Sequence, residues 1–562
     1  MAQAISAEVI HRGSYSFETH FPMFGAQAPG LQGFLKEGSR QFSGVDEALL
    51  RNIEACKNLA TITKSSLGPD GMNKLIVNHL GKHFATSNTT TIVDELEVAH
   101  PAAKILVMAA KAQEQECGDA VNLVVSFGGE LLKGAEELLK QGIHANDIIK
   151  GYSLANDKIL EHFDNDVCWT CQDVRNEENL VKCMKSALSA KQMSIDELAP
   201  LVAKACVMAM PPQTTKFEED KVRVTKIVGG SMSQSSVVQG MVLVRKPKGT
   251  VTKKAKAKVV VFQEGIDSTG TETKGTVLLE NAEALKNFTK GEEQNMEKTI
   301  QNLADAGVEV LISGTAVSEI AQHFLDKYSI LTLHIPSKFE LRRIVQTVGA
   351  TSVLRAGIPL PEELGYLESI EAQEHSSQTV TVLTTRDSRI ATVLLRSATP
   401  NVLDEMERAV NNAVSVVKAS CRDPRFVAGA GATEIELAHF LQGFGSTVHG
   451  LDQYAVLKFA EALEVVPRIL AENAGHNHVE AITALYAAHQ KGEKFVGIDV
   501  EDGAVTVDAV TRSILDHSES KKWALRFCIE AVLTVLQVDQ IIMAKQAGGP
   551  KAPEGGGGRD ED

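Results

Sequence analysis

Ser65-Ser66-Leu67-Gly68-Pro69-Asp70-Gly71-Met72-Asn73-Lys74 is a sharp break after a helix. Upstream, Leu49, Ile53, Cys56, Leu59 and Ala60 recur at intervals of three and four, which predicts one buried helical face. The glycines and the proline then punctuate the chain. Downstream, Leu75-Ile76-Val77 and His83-Phe84-Ala85 read as short strands around a turn at Leu80-Gly81. A long helix is expected from Pro101, with Ile105, Met108, Ala109 and Ala112 on one face. After Gly118 the run from Leu123 to Leu132 reads as a buried helix.

The texture changes twice along the chain. Residues 150–222 read as mostly helical. From Arg223 short β-branched runs appear among glycines, such as Val259-Val260-Val261. Glu309–Ile312 reads as a strand, Ala316–Tyr328 as a helix and Ile330–His334 as a strand, which is βαβ texture with a partly parallel sheet. Strands return at Thr379–Leu383 and Ile390–Leu395. Beyond Val402 the chain is helical again, through Leu441, Val456–Leu470 and Trp523–Ala544. A helical, α/β, helical order suggests a middle domain inserted into a helical domain built from both ends. Residues 1–44 read as a loose arm and 549–562 as a flexible Gly-rich tail.

The 562 residues exceed one ordinary core, so several domains are expected. A formal charge of −15 disfavours general nucleic-acid binding, which needs clustered cations. No basic segment followed by an apolar one opens the chain, and no apolar run approaches a membrane span, so a cytoplasmic protein is expected, with no nucleic-acid or membrane partner. Eight cysteines are expected to stay reduced there. Cys168 and Cys171 form a lone C-x-x-C with only Cys183 near, and they read as incidental thiols. His476 and His478 read as a polar loop.

Three Gly-rich segments could cradle phosphate, because glycine lets the backbone approach and helix starts favour anions. They are Leu67–Gly71, Gly118-Asp119-Ala120 and Gly429-Ala430-Gly431-Ala432-Thr433-Glu434. A helix cap or tight turn would use the same residues. No G-x-x-x-x-G-K-[ST] run exists, and Gly429–Glu434 lacks the third glycine of a dinucleotide fingerprint.

Together the segments carry a resemblance. Leu67–Lys74 resembles the L-G-P-x-G-x-x-K phosphate loop of the chaperonins. His100-Pro101-Ala102-Ala103-Lys104, Gly118-Asp119-Ala120-Val121-Asn122 and Gly429–Glu434 are similar to the H-P-A-A-K, G-D-G-T-[TN] and G-[AG]-G-A-x-E of the eukaryotic cytosolic chaperonins (group II, TCP-1 family). Lys274–Leu279, Pro336–Arg343 and Val538–Lys545 resemble one particular paralogue of that family. The likeness spans about residues 45–550.

The resemblance implies a multidomain α and α/β chaperonin fold. Its helical equatorial ATP-binding domain would be 45–150 with 420–548. A small intermediate domain would be 151–222 with 373–419, and an inserted α/β apical substrate-binding domain 223–372. It implies ATP/ADP and Mg²⁺ as cofactors. It implies seven paralogous subunits in a hetero-oligomeric double ring, unfolded clients (actin and tubulin among the family's) and a prefoldin-like co-chaperone. Leu67, Gly68, Pro69, Gly71, Gly118, Asp119, Ala120, Val121 and Asn122 would surround the phosphates, with Asp119 on Mg²⁺. Gly429, Ala430 and Gly431 would lie against sugar and base, and Asp516 would meet the ribose. Val317, Ile320 and Phe324, on the helix expected at Ala316–Tyr328, would face clients, as would a protrusion near 268–295. The same stripe would equally pack on a sheet.

Two family aspartates that activate the attacking water are replaced. Asn88, in Ser87-Asn88-Thr89-Thr90-Thr91, and Asn412, in Asn411-Asn412-Ala413, stand in their places. An amide matches a carboxylate in size but takes no proton at neutral pH. Ala120 replaces a turn glycine and Val121 a threonine. The expectation is a subunit that binds nucleotide and hydrolyses it weakly or not at all. An unrelated nucleotide-using α/β enzyme is disfavoured by the order of the motifs.

Overall fold

The computed structural model describes residues 40–42, 45–190, 195–266, 282–354, 357–375, 378–386, 389–501 and 505–543. The arm up to residue 39, the tail, Lys274–Leu279 and the first half of the expected protrusion lie outside them. The chain divides into two units. The smaller, Met1–Ala48 with Asp539–Asp562, contains an antiparallel pair of strands, Arg40–Phe42 with Ile541–Met543.

The larger unit, Leu49–Val538, has three main apolar regions among its described residues. The first joins side chains from Leu49–Phe163 to side chains from Val427–Leu536. Its centre is the helix Val121–Lys140, buried nearly all round from Val121 to Gly129 and carrying Glu130, Lys133, Glu137 and Lys140 on one partly exposed stripe beyond that. Small residues allow the enclosure: a Cβ at Gly128 would meet Leu106 Cδ1 at 2.9 Å and Cys528 Sγ at 3.4 Å. Helix Ala145–His162 also packs here through Ile148, Tyr152, Ala155 and Ile159, so this core runs past the boundary expected at 150.

The second core holds Leu180–Val222 and Ala391–Cys421, with the helices Glu177–Ser189, Ile195–Ala209 and Pro400–Arg422. The third region is layered on a nine-stranded mixed sheet. Strands Lys253–Phe262, Val310–Ser313 and Leu331–His334 run parallel, as the βαβ texture predicts. Two apolar layers cover the two faces of this sheet. Strand Ala391–Ser397 pairs with both Val222–Val228 and Ser236–Leu243, so one continuous sheet reaches from the second core to the third.

Several strands were illegible in the sequence, among them Ile541–Met543, which falls inside the stretch expected to be helical to Ala544, while the helix itself ends at Leu536. Val167–Thr170 finds its partner at Arg425–Ala428, more than 250 residues away. Gly365–His375 is polar and acidic along half its length, yet pairs on both sides. The expected helix Ala316–Tyr328 is shorter, Glu319–Lys327, because Ser318 caps it by accepting from Ala321 N at 3.3 Å. No described helix is long and apolar enough to cross a membrane.

The first core encloses a charged cluster. Glu436 accepts from His489 Nδ1 at 2.8 Å and pairs with Lys494 at 3.1 Å. The His489 bond, against the effect of burial and with help from Lys494, holds the Glu436 carboxyl down at about 2. Asp166 is also buried, and neither carboxylate oxygen has a hydrogen-bond partner. Burial pushes its carboxyl up to about 6, and the Glu436 charge pushes the same way.

Two stability outcomes follow. Tyr152 is fully buried, donates to Leu131 O at 2.8 Å and meets Phe459 edge-on. Tyr152→Phe should cost about 1 kcal/mol and Tyr152→Ala about 3–5 kcal/mol in denaturant unfolding. Asp166 takes up its proton at higher pH folded than unfolded, so its penalty is absent near pH 4 and present above about pH 6. Asp166→Asn should therefore stabilise the chain at pH 7.5 by about 2 kcal/mol and have little effect at pH 4, read by chemical unfolding at both pH values.

Candidate functional site

The sheet strand Arg425–Ala428 ends at Gly429, and the chain turns through Ala430 (φ 54°) and Gly431 (φ 80°) into the helix Ala432–Gly445. Gly429 N donates to Ile514 O at 2.9 Å, and a side chain there would press on Ile514 and on Asp516 Oδ1. Gly497 allows a second approach, since its Cβ would lie 2.7 Å from Ala430 O. From the other end of the chain, helix Pro101–Cys117 stops at Gly118 (φ 69°), and Ala120 (φ 62°) starts helix Val121–Lys140. Ala120 is an L-residue in left-handed backbone, which costs about 1 kcal/mol. No side chain caps the start of Val121–Lys140 or of Ala432–Gly445. First-turn N–H groups of a helix have no partner within it.

These turns surround one cavity of about 560 Å³. Of the sequence candidates, Leu67, Gly68, Pro69, Asn88, Asp119, Ala120, Val121, Asn122, Asn412, Ala430, Gly431 and Asp516 line it. Gly71, Gly118 and Gly429 do not; they shape the wall from behind. A Cβ at Gly71 would sit 2.6 Å from the Ser66 carbonyl. At Gly118 it would overlap Ser415, on the helix that carries Asn412.

Several lining residues already have work inside the protein. Asn122 Nδ2 lies 2.9 Å from Thr89 Oγ1 and 3.2 Å from both Thr63 O and Ser66 Oγ, and its Oδ1 accepts from Ser126. It ties three segments together at the cavity floor. Asn88 caps helix Thr89–Glu95, accepting from Thr90 N at 3.2 Å. Val121 is buried and brings no hydroxyl.

The sequence reading missed the buried polar wall. Lys521 Nζ lies 2.8 Å from Glu434 Oε1 and 2.9 Å from Asp516 Oδ2, and Ser186 Oγ donates to Asp516 Oδ1 at 2.5 Å. Burial works against both charges. For Asp516 it is outweighed by the Lys521 charge and the Ser186 and Lys521 hydrogen bonds, which hold the carboxyl below its ordinary range. For Lys521 the two carboxylates win and raise the ammonium. Glu434 was legible in the Gly429–Glu434 motif, but Lys521 had no signal beyond its place five residues after Asp516. Glu114, Asp499, Glu501, Lys185 and Arg512 also face the cavity.

The client candidates divide. Val317 is buried against the sheet with Ala321 and Leu325, which corrects its expected exposure. Phe324 is half-buried, and Ile320 is exposed. The reading missed Phe339, 73% exposed in the first turn of helix Lys338–Val348. Its face was hidden because Leu341 and Ile344 set the apolar period.

Known proteins share this arrangement of sequence. The profile of the TCP-1/cpn60 chaperonin family matches residues 59–546. The chain belongs to that family. T-complex protein 1 subunit theta of Arabidopsis thaliana is 47% identical over 544 residues, 95% of this chain and 99% of that protein. The subunit of the same name from Dictyostelium discoideum is 44% identical over 530 residues, covering 94% and 98%. That from Homo sapiens is 45% identical over 540 residues, covering 95% and 98%. The paralogue resembled by Pro336–Arg343 and Val538–Lys545 is thus theta. Among the described residues of this chaperonin chain, no three His, Cys, Asp or Glu side chains form a metal-holding group. All eight cysteines are free.

Gly118 should be the least replaceable of the cavity glycines. Gly118→Ala adds left-handed strain and an overlap with Ser415, together about 2–4 kcal/mol, and should lower the unfolding midpoint of the full chain. Gly142, also left-handed but with open space around it, should cost only the strain when changed to Ala.

Proposed function

We propose that this chain is a nucleotide-binding subunit of an ATP-dependent double-ring chaperonin, and that it holds ATP while hydrolysing it slowly or not at all. The observation that carries the reading is the convergence of Leu67–Pro69, Asp119–Asn122 and Ala430–Gly431 on one cavity, at two helix starts that no side chain caps. Backbone N–H groups and helix starts suit phosphate oxygens, and the volume suits a nucleotide. The Leu67–Pro69 loop and the first turns at Val121 and Ala432 would take the phosphates, and Asp516 the sugar. Asp119 would hold Mg²⁺, a hard cation that prefers carboxylate oxygen. Mg²⁺ would neutralise phosphate charge.

Slow hydrolysis follows from the two amides. Asn88 and Asn412 both face the cavity, where an attacking water would need a proton acceptor. Neither accepts a proton at neutral pH, and general-base help is typically worth about 10²–10⁴-fold. The relatives' name, which marks each as a lettered subunit, supports assembly with other subunits, and the family resemblance puts their number at seven. On the same reading, unfolded polypeptides bind the central α/β region, a prefoldin-like co-chaperone delivers them, and the compartment is the cytoplasm. The expected domain bounds belong to this proposal with one change, that the first helical segment runs to Phe163: 45–163 with 420–548, 164–222 with 373–419, and 223–372.

The test is Asn88→Asp with Asn412→Asp in the assembled ring. Asp caps a helix as well as Asn does, so the fold at Thr89–Glu95 is kept. ATP turnover attributable to this subunit should rise at least about tenfold, within the range general-base catalysis supplies. No rise, or full turnover already in the unmodified subunit, overturns the reading.

A further inference from the structure

A buried ammonium persists only where carboxylates face it. Lys521, with a side chain 9% exposed, sits between Glu434, 5% exposed, and Asp516, 24% exposed toward the cavity. One cation thus serves two carboxylates. Glu434 gives Lys521 one oxygen, and its other, Oε2, is buried without a hydrogen-bond partner. Asp516 gives Oδ2 to Lys521 and Oδ1 to Ser186. Each carboxylate oxygen has two acceptor sites, so each oxygen of Asp516 keeps one.

The backbone beneath Asp516 is also fixed. Residue 516 pairs with Val427 in the sheet. Its neighbour His517 accepts from Ser520 N at Nδ1, which leaves Nε2 to donate to Asp423 O at 2.8 Å. Gly429 leaves the space that the carboxylate occupies. Without Lys521, Asp516 would share a poorly solvated wall with Glu434, and like charges there favour a proton on one of them. Cys168 also faces the pair, but burial pushes its thiol up to about 11, so it stays neutral between pH 6 and 8. Lys185 donates to Arg512 O at 2.9 Å across the same cavity.

We propose that Lys521 is a positioning residue that keeps Asp516 ionised and fixed as an acceptor for sugar hydroxyls, so that the cavity selects ribonucleotides over their deoxy counterparts. The inference rests on the reading that this cavity takes ATP with Asp516 at the sugar. A hydroxyl donating to an ionised carboxylate is charge-assisted, and losing it costs roughly 10–100-fold in affinity.

The experiment uses the assembled complex, photolabelled with 8-azido-ATP in competition with ATP, 2′-deoxy-ATP or 3′-deoxy-ATP. Label in this subunit is read by peptide mass spectrometry. The unmodified subunit should prefer ATP over at least one deoxy analogue by about 10–100-fold, evenly from pH 6 to 8. Lys521→Met should cut that preference below about threefold at pH 6, with partial return at pH 8 as Asp516 loses its proton. Lys521→Arg should keep it. Should Lys521→Met not assemble, Glu434→Gln with Lys521→Met removes one charge of each sign; with the Lys521 bond gone and burial alone acting on Asp516, it should show a smaller loss in the same direction. An unchanged preference in these methionine variants overturns the inference while leaving ATP binding intact. Equal competition by ATP and both deoxy analogues in the unmodified subunit does the same. Absence of any ATP-competed label in the unmodified subunit overturns the nucleotide reading itself, and this inference with it.

Discussion

Helix Ser518–Leu536 packs against Pro101–Cys117 and Val121–Lys140, and most of the molecule depends on that burial. It closes a chain of some four hundred residues, whose loop entropy grows only slowly with length and is offset by one large apolar interface. Gly128 makes the approach possible where the three helices crowd, with Leu106 on one side and Cys528 on the other. A larger residue there would separate the ends, and the loops that line the cavity come from both.

The cavity inherits its character from this closure. Glycines and left-handed turns bring backbone close to empty space, while the polar wall is built from Lys521, Glu434 and Asp516, buried and mutually neutralising in part. Ser186 and Lys185 reach it from helix Glu177–Ser189, which belongs to the second core. Two bonds therefore connect the second core to the segment Arg512–Asp516. The position of Asp516 in this wall is thereby coupled to that helix.

Ala120 shows how an L-residue can hold a left-handed turn that glycine would fill more easily. The left-handed conformation at 120 persists because the flanking helices over-determine it. Asn88 likewise keeps the cap of Thr89–Glu95, since amide and carboxylate oxygens accept the same N–H. Geometry is thus kept by an amide that, on the proposed reading, supplies no base.

The order of helical, α/β and helical regions was written in the residues, because the 3.6 and 2.0 periodicities and the Gly-Pro breaks are local properties. So were the loops Leu67–Gly71, Gly118–Asn122 and Gly429–Gly431, and the two asparagines. Tertiary structure alone decided what depends on partners far away. It paired Val167–Thr170 with Arg425–Ala428, buried Val317 against a sheet while leaving Phe339 exposed, and moved the first core's edge to Phe163. It also set Lys521 between two acids, a relation no local pattern carries, since the worth of a charge follows from what surrounds it and how much water is left.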